Sequence, residues 1–452
     1  MTGRGRGLRI VIIGGSAAGA SAGARAARLY PKADIFLFEK GPYVSYGACE
    51  LPFFISDDIQ NLDQLQLLTP NELASQKNID VHINTEIEGI DRLNQRLNFK
   101  KFSRKTGFPY DKLIIASGSS ANSLLNEFGQ FTNVFQLKNL QNGAAIKSFL
   151  VEYKPKSVLI IGGGYIALEI IEAIIKYGPQ INVINIEELP LPGFATEARH
   201  TIREIFNSLG ISYQVYAHIE DVAKDSERIT GIRVNNQWIN CDMVIETLGV
   251  QPNSSLAGQA GIILDRNKSI TVNEWMQTNS SNIFAAGDVT HGFHHLTGKP
   301  YYTPFAQMAN MMGRTAVSNL FRKNEKVPKT LGTTGLFFNK REWVKTGLTE
   351  EEAGIIFSNV SSVTFSTTNK PDIMPEVEKI FWHIVYQKHS RRILGATLWG
   401  GNGAALRINT LNLAIKLKLS ATELAAGDYL YSPKFSPMLD GFHVLARILD
   451  KS

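Results

Sequence analysis

The sequence predicts an α/β protein with two Rossmann-like dinucleotide-binding domains and a C-terminal α+β domain. Two strand–glycine–helix–strand units stand roughly 150 residues apart, and beyond about residue 331 the texture changes to strands rich in Phe, Thr and Trp. A chain of 452 residues has the length for two or three such domains, each with its own core.

The first unit opens with LRIVIIGG (Leu8 to Gly15), a short β-branched run that stops at glycine. A helix of small residues, SAAGASAGARAARL, follows, and then ADIFLFEK, a second strand that ends at Glu39 and Lys40. The stretch VHINTEIEGIDRLNQRLNFKK reads as alternating strands and a turn. The second unit starts at Ser157 with SVLIIGGGYIALEIIEAIIKYG and continues into INVINIEE. NCDMVIETLGVQPN and NIFAAGDVTHG are apolar strands that run into glycine turns. TTGLFFNK, EKIFWHIVYQ and RILGATLWGG then predict an antiparallel sheet, and AALRINTLNLAIKLKL one strong helix.

Composition narrows the function classes. Hydrophobic residues make up 44% and charged residues 19%, as in an ordinary globular protein. The longest apolar runs, such as VLIIGGGYIA, are broken by glycine and too short to span a bilayer. The basic start MTGRGRGLR leads straight into a strand and lacks the apolar core of a secretory signal, so a cytoplasmic location and no membrane partner are expected. Net charge is +6, but the Lys and Arg are scattered rather than clustered with aromatics; an anionic small molecule is an equally good reason for the surplus, and no nucleic acid partner is expected. Two distant cysteines form no disulfide framework and fit a reducing compartment. No metal site is expected.

The glycine spacing carries the chemistry. In the first unit it is Gly14-x-Ser16-x-x-Gly19, with Gly15, Ala17 and Ala18 between. Glycine serves where the backbone turns tightly and approaches a pyrophosphate, which then rests on the helix N-terminus. Ser16 replaces the middle glycine, so this motif is weak alone. Glu39, twenty residues past Gly19 at the end of the second strand, completes it as the acid for ribose hydroxyls. The second cradle is Gly162-x-Gly164-x-x-Ala167, with Gly163 inside it. Its strand-end acid is ambiguous between Asn185 and Glu187. NIEELPLP offers no cation for a 2′-phosphate, so NADH is favoured over NADPH.

Around the second cradle, YDKLIIASGSSAN (Tyr110 to Asn122), ETLGVQPN (Glu246 to Asn253) and IFAAGDV (Ile283 to Val289) occur in that order. Together they resemble the pyridine nucleotide-disulfide oxidoreductase family over essentially the whole chain. The resemblance implies FAD as cofactor, with Asp288 of the Gly287-Asp288 pair on its ribityl and phosphate groups. It also extends the cofactor contacts to Ala116, Ser117, Gly118 and Gly249. Tyr165 and Glu169 fall where the family places residues beside the nicotinamide, and Ile166 is counted among the cofactor contacts. The implied domains are 1–120 with 249–325 for FAD, 121–248 for NAD(P), and 326–452 as the interface of a homodimer.

The branch turns on cysteine. Members like glutathione reductase carry a C-x4-C pair, which is absent here. VSYGACELPFF, with Cys49 ten residues beyond Glu39, resembles the S-F-x-x-C segment of a single-cysteine branch. That branch holds coenzyme A disulfide reductases, NADH oxidases and NADH peroxidases. Helix-start amides are expected to lower the Cys49 pKa; the alternative is a buried structural cysteine. Cys241, in WINCDMVIE, reads as a packing residue. Peroxidase and oxidase members need a histidine at the place of Ala17 to assist O–O cleavage, and none stands there. HGFHH at 291–295 reads as readily as a surface turn as a site.

The resemblance to coenzyme A disulfide reductases extends to DYLYSPKFSPMLDGFHVLAR, where Tyr431 would be the phenol supplied to Cys49 of the partner chain; a core tyrosine is the alternative. It assigns substrate binding to Arg28 and Ser45, and Arg28 also reads as a solvated helix arginine. Ala48 stands for the family's asparagine, Leu406 to Asn409 reads LRIN for Lys-Arg-Ile-Asp, and a tyrosine expected near STTNKPDIMPE has no counterpart. The pocket is therefore altered, and the acceptor is a low-molecular-weight disulfide or persulfide, with coenzyme A held as a mixed disulfide in one version. Two other readings stand beside it. One is an NADH oxidase or peroxidase cycling Cys49 through a sulfenic acid. The other is a slow redox-sensing flavoprotein.

Overall fold

The computed structural model describes residues 7–101 and 104–450. The basic stretch 1–6 lies outside the described residues. Strand β1 (Arg9–Ile13) has Ile10, Val11 and Ile12 fully buried, as a strand covered on both faces requires. It pairs in parallel with β2 (Asp34–Phe38) on one side and with Lys112–Ile115 on the other. Asp80–His82 and Ile283–Ala285 extend the sheet at its two edges, both also parallel.

Helix α1 (Ala17–Leu29) crosses between β1 and β2. Its run of small residues is a packing requirement. A Cβ on Gly313 of the helix Ala306–Ser318 would lie 2.2 Å from the carbonyl oxygen of Ala18, so the two helices meet backbone to backbone. Helix α2 (Leu51–Ile55) is a short turn that follows Cys49 and buries Leu51, Pro52, Phe54 and Ile55.

The second unit repeats the arrangement. Strand β3 (Ser157–Ile161), helix α3 (Tyr165–Ile174) and strand β4 (Gln180–Ile184) build a parallel sheet with Ser212–Gln214, Met243–Glu246 and Val134–Gln136. In both sheets the first strand of the unit is central and the outer strand on its far side comes from a distant segment. Helix α4 (Thr196–Ser208) packs Ile202, Ile205 and Phe206 inward.

The last part is a five-stranded antiparallel sheet. Its order is Thr334–Phe338, β5 (Arg341–Gly347), Ile393–Gly400, Lys379–Gln387, Val360–Thr368. Helix α5 (Ala404–Leu417) lays Leu411, Ala414 and Ile415 on it, and α6 (Gly441–Leu449) closes the core with Phe442 and Leu445. The predicted fold class is the observed one. The segment read as alternating strands divides between the first sheet, through Asp80–His82, and a hairpin of Ile87–Asp91 with Arg96–Lys101.

This third part shares a core with the second unit. Phe206 meets Phe338 edge-on at 5.9 Å between ring centroids, and Trp343 and Trp399 belong to the same apolar cluster as β3 and α3. Lys345 reaches across to donate to the carbonyl of Gly193 at 2.9 Å. Among the described residues no helix is long and apolar enough to cross a membrane.

Candidate active site

Two loops present uncovered helix N-termini. Gly14 adopts φ +98°, and a Cβ there would lie 2.1 Å from the Ala116 carbonyl oxygen. Gly19 has its α hydrogen against Gly14, where a Cβ would sit 1.8 Å from the carbonyl oxygen. Ser16 caps α1 without a side-chain hydrogen bond to the backbone, and Ala17 and Ala18 begin the helix. The first-turn amides of α1 thus have no capping side chain, and anions gather at such ends. At the second loop Gly162 takes φ +109°, and Gly164 caps α3, again with no side-chain bond. A Cβ on Gly164 would meet nothing within 4 Å. The serine in the first loop and the glycine in the second therefore play the same role, and the weaker motif has the same geometry as the stronger one.

Side chains gather around the first loop. Glu39 directly follows β2 and accepts the N–H of Gly15 and of Gly41, each at 2.8 Å, so its carboxylate is tied to the loop. Lys40 next to it is exposed. Gly287 brings Asp288 beside α1; a Cβ on this glycine would lie 2.8 Å from Cβ of Ala18. The Asp288 carboxylate accepts the hydroxyl of Ser119 at 2.8 Å and pairs with Lys138 at 3.0 Å. Ser117 donates to the Asn253 carbonyl, Gly118 has φ +68°, and buried Ala116 donates its N–H to Ile13. Ser45 is buried in a left-handed conformation (φ +51°), with its N–H on the Gly15 carbonyl. It joins the Cys49 segment to the first cradle.

A cavity of about 940 Å³ opens between the units. Cys49 lines it together with the whole second glycine run, Gly162–Gly164, and with Tyr165, Ile166, Glu169 and Gly249. Cys49 is exposed to it; Cys241 is buried in the packing of the second unit, as read from the sequence. The thiol of Cys49 is pushed up, not down. Desolvation by the surrounding protein comes first, then the carboxylates of Glu50 and Glu169, with Lys138 pulling the other way. This corrects the expectation from sequence: the residue at the start of five-residue α2 is Glu50, whose charge opposes a thiolate. Burial raises the Glu169 carboxyl to about 7. Burial also raises the Tyr165 phenol, against a hydrogen bond with Thr334. A thiol, a carboxyl raised to about 7 and a lysine thus share one chamber with the second glycine run.

Two predicted residues lie elsewhere. Arg28 is exposed on α1 and lines a separate depression of about 300 Å³ with Tyr30, Gln76 and Lys77. Tyr431, 52% exposed, sits on the segment before α6 and is not among the residues lining the Cys49 cavity. Two residues escaped the sequence reading. Lys138 is in no motif and meets Asp288 across 150 positions. Arg199 of α4 pairs with Glu187 at 2.6 Å, so the fold brings to NIEELPLP a cation which that stretch lacks.

The family model for pyridine nucleotide-disulphide oxidoreductase matches residues 8–313, and the model for the dimerisation domain of the same family matches residues 333–441. Among curated relatives, an NAD(P)H coenzyme A polysulfide/persulfide reductase of Pyrococcus horikoshii is 30% identical, with 98% of both chains covered. An NADH oxidase of Enterococcus faecalis is 26% identical over 97% of this chain and 99% of its own. Among solved structures, an NAD-dependent persulfide reductase from A. fulgidus superposes with a TM-score of 0.92 at 26% identity, covering 98% of this chain and 83% of that one.

Proposed function

The chain belongs to the pyridine nucleotide-disulphide oxidoreductase family, and on that premise we propose that it is an FAD-dependent NAD(P)H oxidoreductase acting on sulfur through Cys49. Its acceptor is a low-molecular-weight disulfide or persulfide, of which a coenzyme A disulfide is one form. The observation that carries this reading is the exposed Cys49 thiol in the cavity that the second glycine cradle also lines. The relatives named as persulfide reductases point the same way.

The uncapped N-terminus of α1, Glu39 and Asp288 suit the pyrophosphate and sugar hydroxyls of FAD. The uncapped N-terminus of α3 suits those of the nicotinamide dinucleotide, with NADH favoured. A flavin held by these residues would supply the two-electron chemistry that links a nicotinamide to sulfur. The protein's own part is sulfur exchange. The Cys49 thiolate attacks an S–S bond of the substrate; a Cys49–sulfur bond forms, the substrate bond breaks, and a thiolate leaves. The departing thiolate needs a proton, and Glu169 in its neutral form can supply one within the cavity. Two-electron reduction of the mixed disulfide, which that flavin would supply, breaks the Cys49–sulfur bond, releases the bound thiol and frees Cys49.

We assign 1–120 with 249–325 to FAD, 121–248 to NAD(P) and 326–452 to a homodimer interface, with Tyr431 of one protomer serving Cys49 of the other. The two unpaired cysteines fit a reducing compartment such as the cytoplasm. Intact mass of the purified, unreduced protein, before and after NADH, tests the reading. A thiol adduct on Cys49 that leaves on reduction is expected, and Cys49→Ser keeps FAD while losing disulfide turnover. A Cys49→Ser variant that reduces disulfides at the normal rate overturns it. A singly oxygenated Cys49 with fast peroxide-dependent NADH consumption transfers the assignment to an oxidase or peroxidase.

A further inference from the structure

A buried neutral group ends the second strand of the second unit. Asn185, 9% exposed, donates its amide to the Tyr213 hydroxyl at 2.8 Å and to the Glu187 carbonyl at 3.2 Å. It holds the chain end in shape and carries no charge toward a ribose. Glu187 is the next acid, it lines the same cavity as the glycine cradle, and its side chain is 46% exposed. Its carboxylate is not isolated. Arg199 approaches from α4 and places Nη2 at 2.6 Å from Oε2. The same guanidinium donates to the carbonyls of Leu189 at 2.6 Å and Pro190 at 2.9 Å, so its position is set by backbone as well as by Glu187.

We propose that Glu187 and Arg199 together set the choice between NADH and NADPH. The Glu187 carboxylate accepts the adenosine ribose hydroxyls and repels a 2′-phosphate, while it neutralises the Arg199 guanidinium. Because backbone carbonyls also hold Arg199, that cation stays in place when the carboxylate charge is removed. It is then free to receive a 2′-phosphate, the planar, multiply donating partner that such anions prefer. The pair is a specificity element in which one residue rejects the phosphorylated nucleotide and masks the residue that would accept it. The inference rests on the reading that the second cradle takes the nicotinamide dinucleotide.

The test uses the FAD-loaded protein as wild type, Glu187→Gln, Glu187→Gln/Arg199→Gln and Glu187→Gln/Arg199→Lys. Calorimetric titration with NAD+ and NADP+ reads binding without catalysis, and stopped-flow flavin reduction by NADH and NADPH reads productive docking. Wild type is expected to favour NAD+, and Glu187→Gln to gain about tenfold or more in NADP+ affinity. Adding Arg199→Gln removes that gain and leaves NAD+ affinity close to that of Glu187→Gln; adding Arg199→Lys keeps part of it. A wild type that prefers NADP+, a Glu187→Gln variant without the gain, or a gain that survives Arg199→Gln overturns the inference alone. If neither nucleotide binds or reduces the wild-type flavin, the dinucleotide reading of the cradle falls, and this inference with it.

Discussion

At Cys49 and Glu169 the surroundings, not the residue types, set the chemistry. The thiol faces the cavity, yet desolvation and the Glu50 and Glu169 carboxylates hold its pKa above the usual value, with Lys138 opposing them. Glu50→Gln should therefore lower the apparent pKa of Cys49 and Lys138→Gln should raise it, read from the pH dependence of iodoacetamide alkylation at that residue. Shifts of the same sign in both variants would contradict this account. Glu169 makes a second, independent statement. Its ordinary value is 4.5 and burial lifts it to about 7. Between those values the native protein holds a proton that the unfolded chain has released, so this group makes stability fall as pH rises through that window. Glu169→Gln removes the titration, and its thermal midpoint should decline less than that of wild type between pH 5 and 8. Parallel curves would show that the carboxyl is ionised throughout.

At the scale of elements, the third and the middle positions of a cradle differ in what their glycines do, and substitution should separate the roles. A Cβ on Gly19 would collide with backbone at 1.8 Å, which nothing nearby can relieve, so Gly19→Ala should cost about 1–3 kcal/mol of stability. A Cβ on Gly164 meets open space, so Gly164→Ala should leave the thermal midpoint nearly unchanged while weakening dinucleotide binding. Equal thermal losses in the two variants would refute the distinction. This is also where the sequence was most readable. Cradle and strand-end acid lie within one β-α-β run, and their backbone demands are local. Cys49 was legible from its neighbours in VSYGACELPFF. The sign of its pKa shift was not, because desolvation, its largest cause, and the Glu169 carboxylate come only through tertiary packing. Lys138 with Asp288 and Arg199 with Glu187 were invisible for the same reason: neither pair shares a motif.

At the scale of the whole molecule, the third part leaves large apolar side chains exposed. Leu413 and Leu417 of α5 are exposed together with Leu430, Tyr431, Phe435 and Met438 of the segment before α6. The two parts are locked to each other by a buried pair, Arg407 with Asp440, at 2.6 Å. Asp440→Ala would leave Arg407 uncompensated and should cost about 3–5 kcal/mol in thermal or denaturant unfolding. Exposed apolar side chains in the part that matches the family's dimerisation domain are expected to meet their copies around a twofold axis. Leu413→Asp should then yield monomers by light scattering. Those monomers should still pass hydride from NADH to flavin and lose disulfide turnover, since the cradles lie within one chain and Tyr431 does not line its own chain's Cys49 cavity. Mixed dimers decide the point about Tyr431. Cys49→Ser and Tyr431→Phe should each be impaired alone, but with Tyr431 serving the partner's Cys49 a dimer of one with the other contains one site built from an intact Cys49 and an intact Tyr431. Random exchange of subunits should restore about a quarter of wild-type turnover. If Tyr431 acted within its own chain, the mixture would stay at the average of its two parents.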